Sequence, residues 1–508
     1  MNIATWWRTA RTSVHRALIG GLALSVIPVA VSASPWVEVG DDLVRRDVEI
    51  LAGFGLMDGL TTTWPIPWKQ VSKAFERAEG KKLPQSVRNA LLRLRGRYSY
   101  EAKIGTPRVE ARAQMSNEPR LVRGFRDTGR DEIDLEFRLE YMWESTAIRL
   151  NAGILSDFKF DDVSANLDRS YIAQELGGWL LYAGTIEEWW GSGNVSSLIR
   201  SNNARPHPRV GVMRNDTSAF DTPWLSWIGP WQLGTSVGWL DDDRAVENAL
   251  LWDMHLSFQP VQGLQFSFYR SIMLCGEDQS CSLGTWSDAF RGLAVGDDAN
   301  QLGGGNAINQ LAGADVRYAT PIGENLAAIY GQYVAEDKID GWPGKAGWLG
   351  GASLAGYSAA MLWDWQIAGE ISDTRARLNG GNPPYENTFY NHFIYRNGYR
   401  YRGRSLGHSL DNDAMLYSVV GQVVDASNWR WRGALHRAEL NRDGTVRATG
   451  GNTVSGSDET IHVAEAGVEV PIGPSLVSLD LTVQDDRPDT PGDKEWLVTA
   501  YGSWRLRF

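Results

Sequence analysis

From Ile133 to Trp143 the chain alternates with period two: Ile133, Leu135, Phe137, Leu139, Tyr141 and Trp143 on one face, and Glu132, Asp134, Glu136, Arg138 and Glu140 on the other. A period of two is a β-strand, and one apolar face opposite one charged face requires two different surroundings. About ten residues of such a strand, tilted, are enough to cross a membrane. The same alternation returns at the end of the chain. Trp496, Val498, Ala500, Gly502, Trp504, Leu506 and Phe508 share one face, with Glu495, Thr499, Ser503, Arg505 and Arg507 opposite. Further strand candidates are Val109–Ala113, Ile148–Ile154, Trp231–Trp239, Leu250–Phe258, Leu264–Tyr269, Leu311–Tyr318, Ala359–Gly369, Trp429–Leu435 and Val477–Val483. A soluble sandwich also alternates, with its apolar side inward. It rarely places glutamate and arginine at nearly every second position over so many strands.

The first residues bear on compartment. Arg8, Arg11 and Arg16 precede an apolar run from Ala17 to Val31 that ends in Val31-Ser32-Ala33, the pattern of a secretory signal peptide occupying 1–33. Without it the chain keeps 47 basic against 61 acidic residues, so the net charge moves from −11 to −14. That balance argues against nucleic acid as a partner. No later stretch holds the run of roughly 20 apolar residues that a membrane helix needs. The two cysteines, Cys275 and Cys281, are expected to pair in an oxidising compartment. The seven histidines are scattered without metal-ligand spacing, so neither a transition metal nor another cofactor is expected.

From Asp41 to about Arg95 the period is helical instead. Val44, Val48 and Leu51, then Val71, Ala74, Phe75 and Ala78, then Val87, Ala90, Leu91 and Leu94 predict three short amphipathic helices. Trp64-Pro65-Ile66-Pro67-Trp68 is an extended connector, and Pro84 suits the first turn of the third helix. The expected organisation is therefore a leader (1–33), a small helical bundle (34–97) and a strand-rich body (98–508). Backbone amides in hydrocarbon must all be paired, so membrane strands close into an antiparallel barrel. The length after Tyr98 accommodates on the order of 16 to 20 strands. Gly303-Gly304-Gly305 and Gly341-Trp342-Pro343-Gly344 read as loops. The 23 tryptophans suit a membrane-interface girdle, although carbohydrate-active proteins also use many aromatics.

Several Trp-rich blocks stand out: Ser34-Pro35-Trp36, Thr63-Trp64-Pro65-Ile66-Pro67-Trp68, Glu187-Glu188-Trp189-Trp190-Gly191, Ser201-Asn202-Asn203-Ala204-Arg205-Pro206, Trp224-Leu225-Ser226-Trp227-Ile228-Gly229-Pro230-Trp231 and Tyr401-Arg402-Gly403-Arg404-Ser405-Leu406-Gly407-His408. Together they resemble the Wzi family of capsule assembly proteins, over essentially the whole mature chain. The resemblance implies an all-β membrane protein: a closed transmembrane barrel of about 18 antiparallel strands behind a small periplasmic helical bundle. It implies an outer-membrane lectin of a Gram-negative cell, with loops facing the surface, that helps attach capsular or other extracellular polysaccharide. A chain ending on an aromatic resembles, at Phe508, the signal read by the outer-membrane assembly machinery. Outer-membrane lipid is the remaining expected partner.

The candidate polysaccharide-binding residues are Trp189, Trp190, Asn202, Asn203, Arg205, Arg270, Arg400, Arg402, Arg404 and His408. Indole can stack on the apolar face of a sugar, but adjacent strand residues face opposite sides, so Trp189 and Trp190 equally suit a girdle or lumen packing. A guanidinium fork suits a carboxylate, and Arg400, Arg402 and Arg404 share one face if they lie on a strand. The alternative is an arginine ladder inside the barrel, countered by Glu187, Glu188, Asp411 and Asp413. His408 with Ser405 and Asp411 or Asp413 raises a hydrolase reading, yet no nucleophile-elbow pattern surrounds them, so no catalytic residue is assigned. A diffusion porin is the other competing function.

Overall fold

In the computed structural model the described residues are 35–156, 165–291, 308–339, 342–376, 388–442, 451–490 and 494–508. The expected leader and Gly303-Gly304-Gly305 lie outside them. Among the described residues eighteen antiparallel strands close into one barrel. They are β1 (Arg108–Ser116), β2 (Ile133–Met142), β3 (Thr146–Ser156), β4 (Ala165–Asn166 and Tyr171–Leu176, both paired with β3), β5 (Trp179–Thr185), β6 (Pro208–Arg214), β7 (Trp231–Trp239), β8 (Leu250–Val261) and β9 (Leu264–Leu274). The second half holds β10 (Asn309–Ile322), β11 (Asn325–Ile339), β12 (Trp342–Ser358), β13 (Trp363–Asp373), β14 (Ala414–Val424), β15 (Arg430–Leu440), β16 (Glu459–Ile472), β17 (Ser475–Gln484) and β18 (Leu497–Arg507). Each pairs with the next, and β18 closes on β1 from Tyr501 opposite Ser116 to Arg507 opposite Glu110.

The burial pattern reverses that of a soluble protein. On β2 the apolar Phe137 is 53% exposed, whereas Asp134 and Glu140 on the other face are buried. Leu150, Val210, Phe268, Ile329, Leu435 and Leu479 stand on the same outer surface around the wall. Such an exterior is stable only in hydrocarbon, and the polar interior is filled by the protein itself. Exposed tryptophans gather where the short turns lie, at Trp143, Trp179, Trp224, Trp227, Trp363, Trp429 and Trp431. That is the girdle expected of an interface. Apart from the 215–230 connection that carries Trp224 and Trp227, the turns at this end are tight: Ile322 pairs with Asn325 around Gly323, whose φ of 61° suits a residue without a Cβ. Long loops gather at the opposite end.

Three helices close the short-turn end: α1 (Asp42–Gly53), α2 (Trp68–Arg77) and α3 (Gln85–Glu101). Asp41 caps α1 by accepting from the Val44 amide at 3.2 Å. Helix α3 runs to Glu101 and β1 starts at Arg108, so the helical part extends past the expected limit at 97. Pro84 precedes α3 instead of occupying its first turn. The connector is extended as expected: Thr63–Trp64 pairs with Trp189–Trp190, and Ile66–Pro67 with Trp36–Val37. Two further expectations change. Trp342–Gly344 belongs to β12, paired with Asp337–Ile339 of β11, because a long barrel strand tolerates proline at its tip. Residues 359–362 form the turn before β13, which starts at Trp363. A fourth helix, α4 (Leu283–Arg291), follows a disulfide between Cys275 and Cys281.

Candidate functional site

Between β5 and β6 the chain does not stay outside. Residues 186–207 turn into the barrel, cross it, and leave through His207, which is buried beneath the long-loop end. Polar strand residues that a membrane wall must point inward hold this segment in place. Glu370 of β13 accepts the amides of Asn194 (2.6 Å), Val195 (3.2 Å) and Ser196 (2.7 Å). Asp315 of β10 accepts from the Ser192 amide and hydroxyl, at 2.9 and 2.8 Å. Gln332 of β11 accepts from the Leu198 amide at 2.8 Å and donates to the Trp190 carbonyl at 2.8 Å. Arg200 pairs with Asp253 of β8. Buried amides thus meet charge-assisted partners instead of water.

Trp189 and Trp190 flank this crossing on opposite sides, as adjacent strand residues must. Trp189 meets Phe125 edge-on at 5.6 Å, and Trp64, its partner across the short strand pair, meets the same ring at 5.0 Å. Trp190 stacks on Tyr269 at 5.8 Å and meets His255 at 5.1 Å. Both are buried, so neither a sugar nor a lipid can reach them. Removing an indole of about 200 Å² from water contributes roughly 5 kcal/mol before entropy, which is an anchor's role.

Above the crossing lies a second layer, residues 388–413. Three tyrosines hang from it: Tyr390 and Tyr399 fasten the crossing below by donating to the Leu198 (2.5 Å) and Ile199 (2.9 Å) carbonyls, while Tyr395 ties the layer to the wall by donating to the Cys275 carbonyl just past β9 (2.9 Å). Burial pushes all three phenols above their ordinary pKa. The run of tyrosines from 390 to 401 was the available sequence signal for this layer, and its spacing alone did not say where the rings would point.

Within this layer Arg400, Arg402 and Arg404 do not share a strand face. Arg400 pairs with Ser405 and Tyr401 with Arg404 in a hairpin whose two-residue turn is Arg402-Gly403, at φ of 47° and 74°. Two positive φ values in succession are what a tight hairpin requires, and glycine makes the second one cheap. Arg400 is buried and grips Asp411 through two bonds of 2.8 and 2.9 Å, while Asp411 also accepts from the Thr453 hydroxyl at 2.7 Å. Arg402 is half-buried over the Tyr401 ring at 5.6 Å, and Arg404, also half-buried, donates to the Arg130 carbonyl at 3.1 Å.

The remaining candidates divide by what they touch. Asn202 and Asn203 are buried and donate to the carbonyls of Phe125 (2.9 Å) and Ser405 (3.0 Å). Arg205 pairs with Asp168 at 2.8 Å. Of the expected counter-charges, Glu187 serves Arg130 at 2.9 Å and Glu188 serves Arg209. Arg270 is outside the barrel altogether: its neighbours Tyr269 and Ser271 face the lumen, so it points outward, where it bonds the Ala289 and Phe290 carbonyls of α4. His408 is buried with both ring nitrogens engaged. Nδ1 accepts from the Leu410 amide at 3.1 Å, which leaves Nε2 to donate to Ser372 Oγ at 2.8 Å. Burial lowers its pKa to about 4. Ser405 accepts from the Gly407 amide, so Ser405, His408 and Asp411 form no catalytic relay. The half-buried Arg402 and Arg404 and the exposed Phe393, Arg396, Asn397 and Gly403 are among the residues this layer presents at the long-loop mouth.

The family model for capsule assembly protein Wzi matches residues 103–491. The chain belongs to the Wzi family. A curated relative, an uncharacterized 55.8 kDa protein in the cps region of Klebsiella pneumoniae, is 27% identical over 439 residues, covering 86% of this chain and 82% of that protein. The solved structure of Wzi from Escherichia coli superposes with a TM-score of 0.77 at 22% identity, over 93% of this chain and 99% of that one. That protein is described as an outer-membrane, carbohydrate-binding β-barrel involved in group 1 capsule assembly. The family match begins inside the helix-to-barrel junction, so the helices are likened to the Wzi fold through the structural superposition. OprD of Pseudomonas aeruginosa also matches, at 9% identity and a TM-score of 0.44 over 79% of this chain and 93% of that one.

Proposed function

We propose that this chain is an outer-membrane lectin that holds capsular or other extracellular polysaccharide at the cell surface, with the long-loop end outward and α1–α3 in the periplasm. The observation that carries this reading is the filled lumen. A diffusion pore needs a continuous water path, whereas among the described residues the 186–207 crossing, the 388–413 layer and the three helices lie across the bore in succession and leave side cavities between them and the wall. The working surface is then the outer mouth, where the Arg402-Gly403 turn, Arg404, Arg396 and Phe393 offer guanidinium forks and an exposed ring to a sugar chain. Asn202, Asn203, Arg205, Arg400 and His408 act beneath it by shaping the hairpin. The engaged nitrogens of His408 support a binding protein over a hydrolase. Phe508, exposed at the tip of β18 with its amide on the Val109 carbonyl at 3.0 Å, suits a handle for the assembly machinery.

The test is retention. Arg402→Ala with Arg404→Ala should reduce the isolated polysaccharide held by purified protein, with unchanged heat-modifiable migration of the folded barrel. A deletion strain should shed polysaccharide that its parent keeps. Equal retention in both comparisons refutes the attachment role. Steady ion conductance by the wild-type protein in planar bilayers would instead favour a pore.

A further inference from the structure

Helix α4 lies against the outside of the barrel wall. On β8, Asp253 and His255 face the lumen, so Trp252 faces out, and its ring meets Trp286 of α4 at 5.3 Å and Phe290 at 6.2 Å. Leu250, Met254 and Ile272 complete this outer contact. The helix is turned the wrong way for water. At 100° per residue, Thr285 and Ala289 share the buried side, while Leu283, Trp286 and Phe290 share the other. Leu283 is 90% exposed and Phe290 is 65% exposed. Thr285 and Ala289 are buried, Trp286 is half-buried against Trp252, and Leu283 and Phe290 carry the apolar edge of the helix past that contact into the open, where the outer faces of the strands are also apolar.

Both ends of α4 are held. Ser282 accepts from the Thr285 amide at 3.2 Å, capping the N-terminus a residue beyond the Cys275–Cys281 disulfide. Arg270, projecting from β9, donates to the Ala289 and Phe290 carbonyls at 2.5 and 2.8 Å, capping the C-terminus with a cation. Arg291 follows, exposed. The height also fits. From Val261 at the short-turn end to Trp252 is nine residues, about 30 Å along the strand, or roughly 23 Å of height at a tilt near 40°, close to the ~25 Å apolar band of such barrels. Below α4 the wall continues through the exposed Leu256 and Phe268, and Trp239 stands exposed on the neighbouring strand.

We infer that α4 is an interfacial helix lying in the lipid surface at the long-loop rim, with Leu283, Trp286 and Phe290 among acyl chains and Arg270 and Arg291 at the level of phosphate-bearing headgroups. Amphipathic helices at an interface carry aromatic and leucine residues below and basic residues at headgroup level. Continuity with the lipid-facing wall selects lipid as the occupant over a second copy of the chain. This goes beyond polysaccharide attachment and stands whether or not that reading holds.

The experiment places a bimane label at Leu283→Cys in oxidised full-length protein reconstituted in phosphatidylcholine–phosphatidylglycerol vesicles, with Asp243→Cys in an aqueous loop as control. Both variants must keep heat-modifiable folding. The expected result is a blue-shifted label at 283, quenched by a shallow 5-doxyl lipid more than by a deep one and shielded from iodide, with the reverse at 243. Iodide quenching at 283 without lipid quenching overturns the inference. So does shielding from both quenchers together with cross-linking between copies through 283. Arg291→Gln should reduce the shallow-lipid quenching when phosphatidylglycerol is present; no change would remove the headgroup half of the inference.

Discussion

Replacing Glu370 by alanine should open the barrel without unfolding it. The carboxylate accepts three consecutive amides of the crossing segment, those of Val195 and Ser196 buried and that of Asn194 half-buried, and the buried Tyr330 hydroxyl at 3.1 Å. Each buried donor left without a partner costs about 1–3 kcal/mol, so the three amides together put roughly 3–9 kcal/mol against the seated segment. Asp315 and Gln332 still hold Ser192 and Leu198, which argues for the lower figure and for local release. About 3 kcal/mol raises the population of the released state on the order of a hundredfold. The wall is untouched, because the backbone of residue 370 pairs with Gly351 and Ser418 whatever its side chain. Hydrogen exchange at 194–196 should therefore accelerate, and planar bilayers should show fluctuating conductance absent from wild type, while heat-modifiable migration stays the same. Wild-type protection at 194–196 with silent bilayers would refute the idea that this carboxylate keeps the lumen shut.

Arg400→Ala strips a buried pair and strands Asp411, at a cost of about 3–5 kcal/mol to the surface layer; limited proteolysis should cut within 388–413 while the barrel core resists. His408 has a folded pKa near 4 against an ordinary 6.5, so the unfolded loop takes up a proton that the folded layer refuses. Layer stability should be full above about pH 6.5 and fall as pH drops toward 4, read as exchange at 406–413, with His408→Gln flattening the dependence. Leu435, 63% exposed on the outer wall, should cost roughly 2–4 kcal/mol when changed to arginine, measured by reversible urea unfolding in lipid vesicles.

The alternation at Ile133–Trp143 and Trp496–Phe508 was enough to establish strands with two unlike faces, because side-chain period is a local property of the backbone. The 3.6-residue spacing of Val44, Val48 and Leu51 established the helices for the same reason. Which face meets which surroundings is not local. It took the closed ladder to show Phe137 outside and Asp134 inside, since a sandwich and a barrel share one pattern and differ in what fills the middle. The site was less legible than the fold. Trp189 and Trp190 could be seen to face opposite ways, but only the folded chain showed that 186–207 enters the bore and buries both. Arg400, Arg402 and Arg404 matched a strand period and turned out to form a hairpin, because the two positive φ values at Arg402-Gly403 reverse the chain between them. Arg270 needed its strand's register before it could be placed outside the wall. In each case the sequence carried the preferences of neighbouring residues, while contacts between distant segments chose among the arrangements that satisfied them.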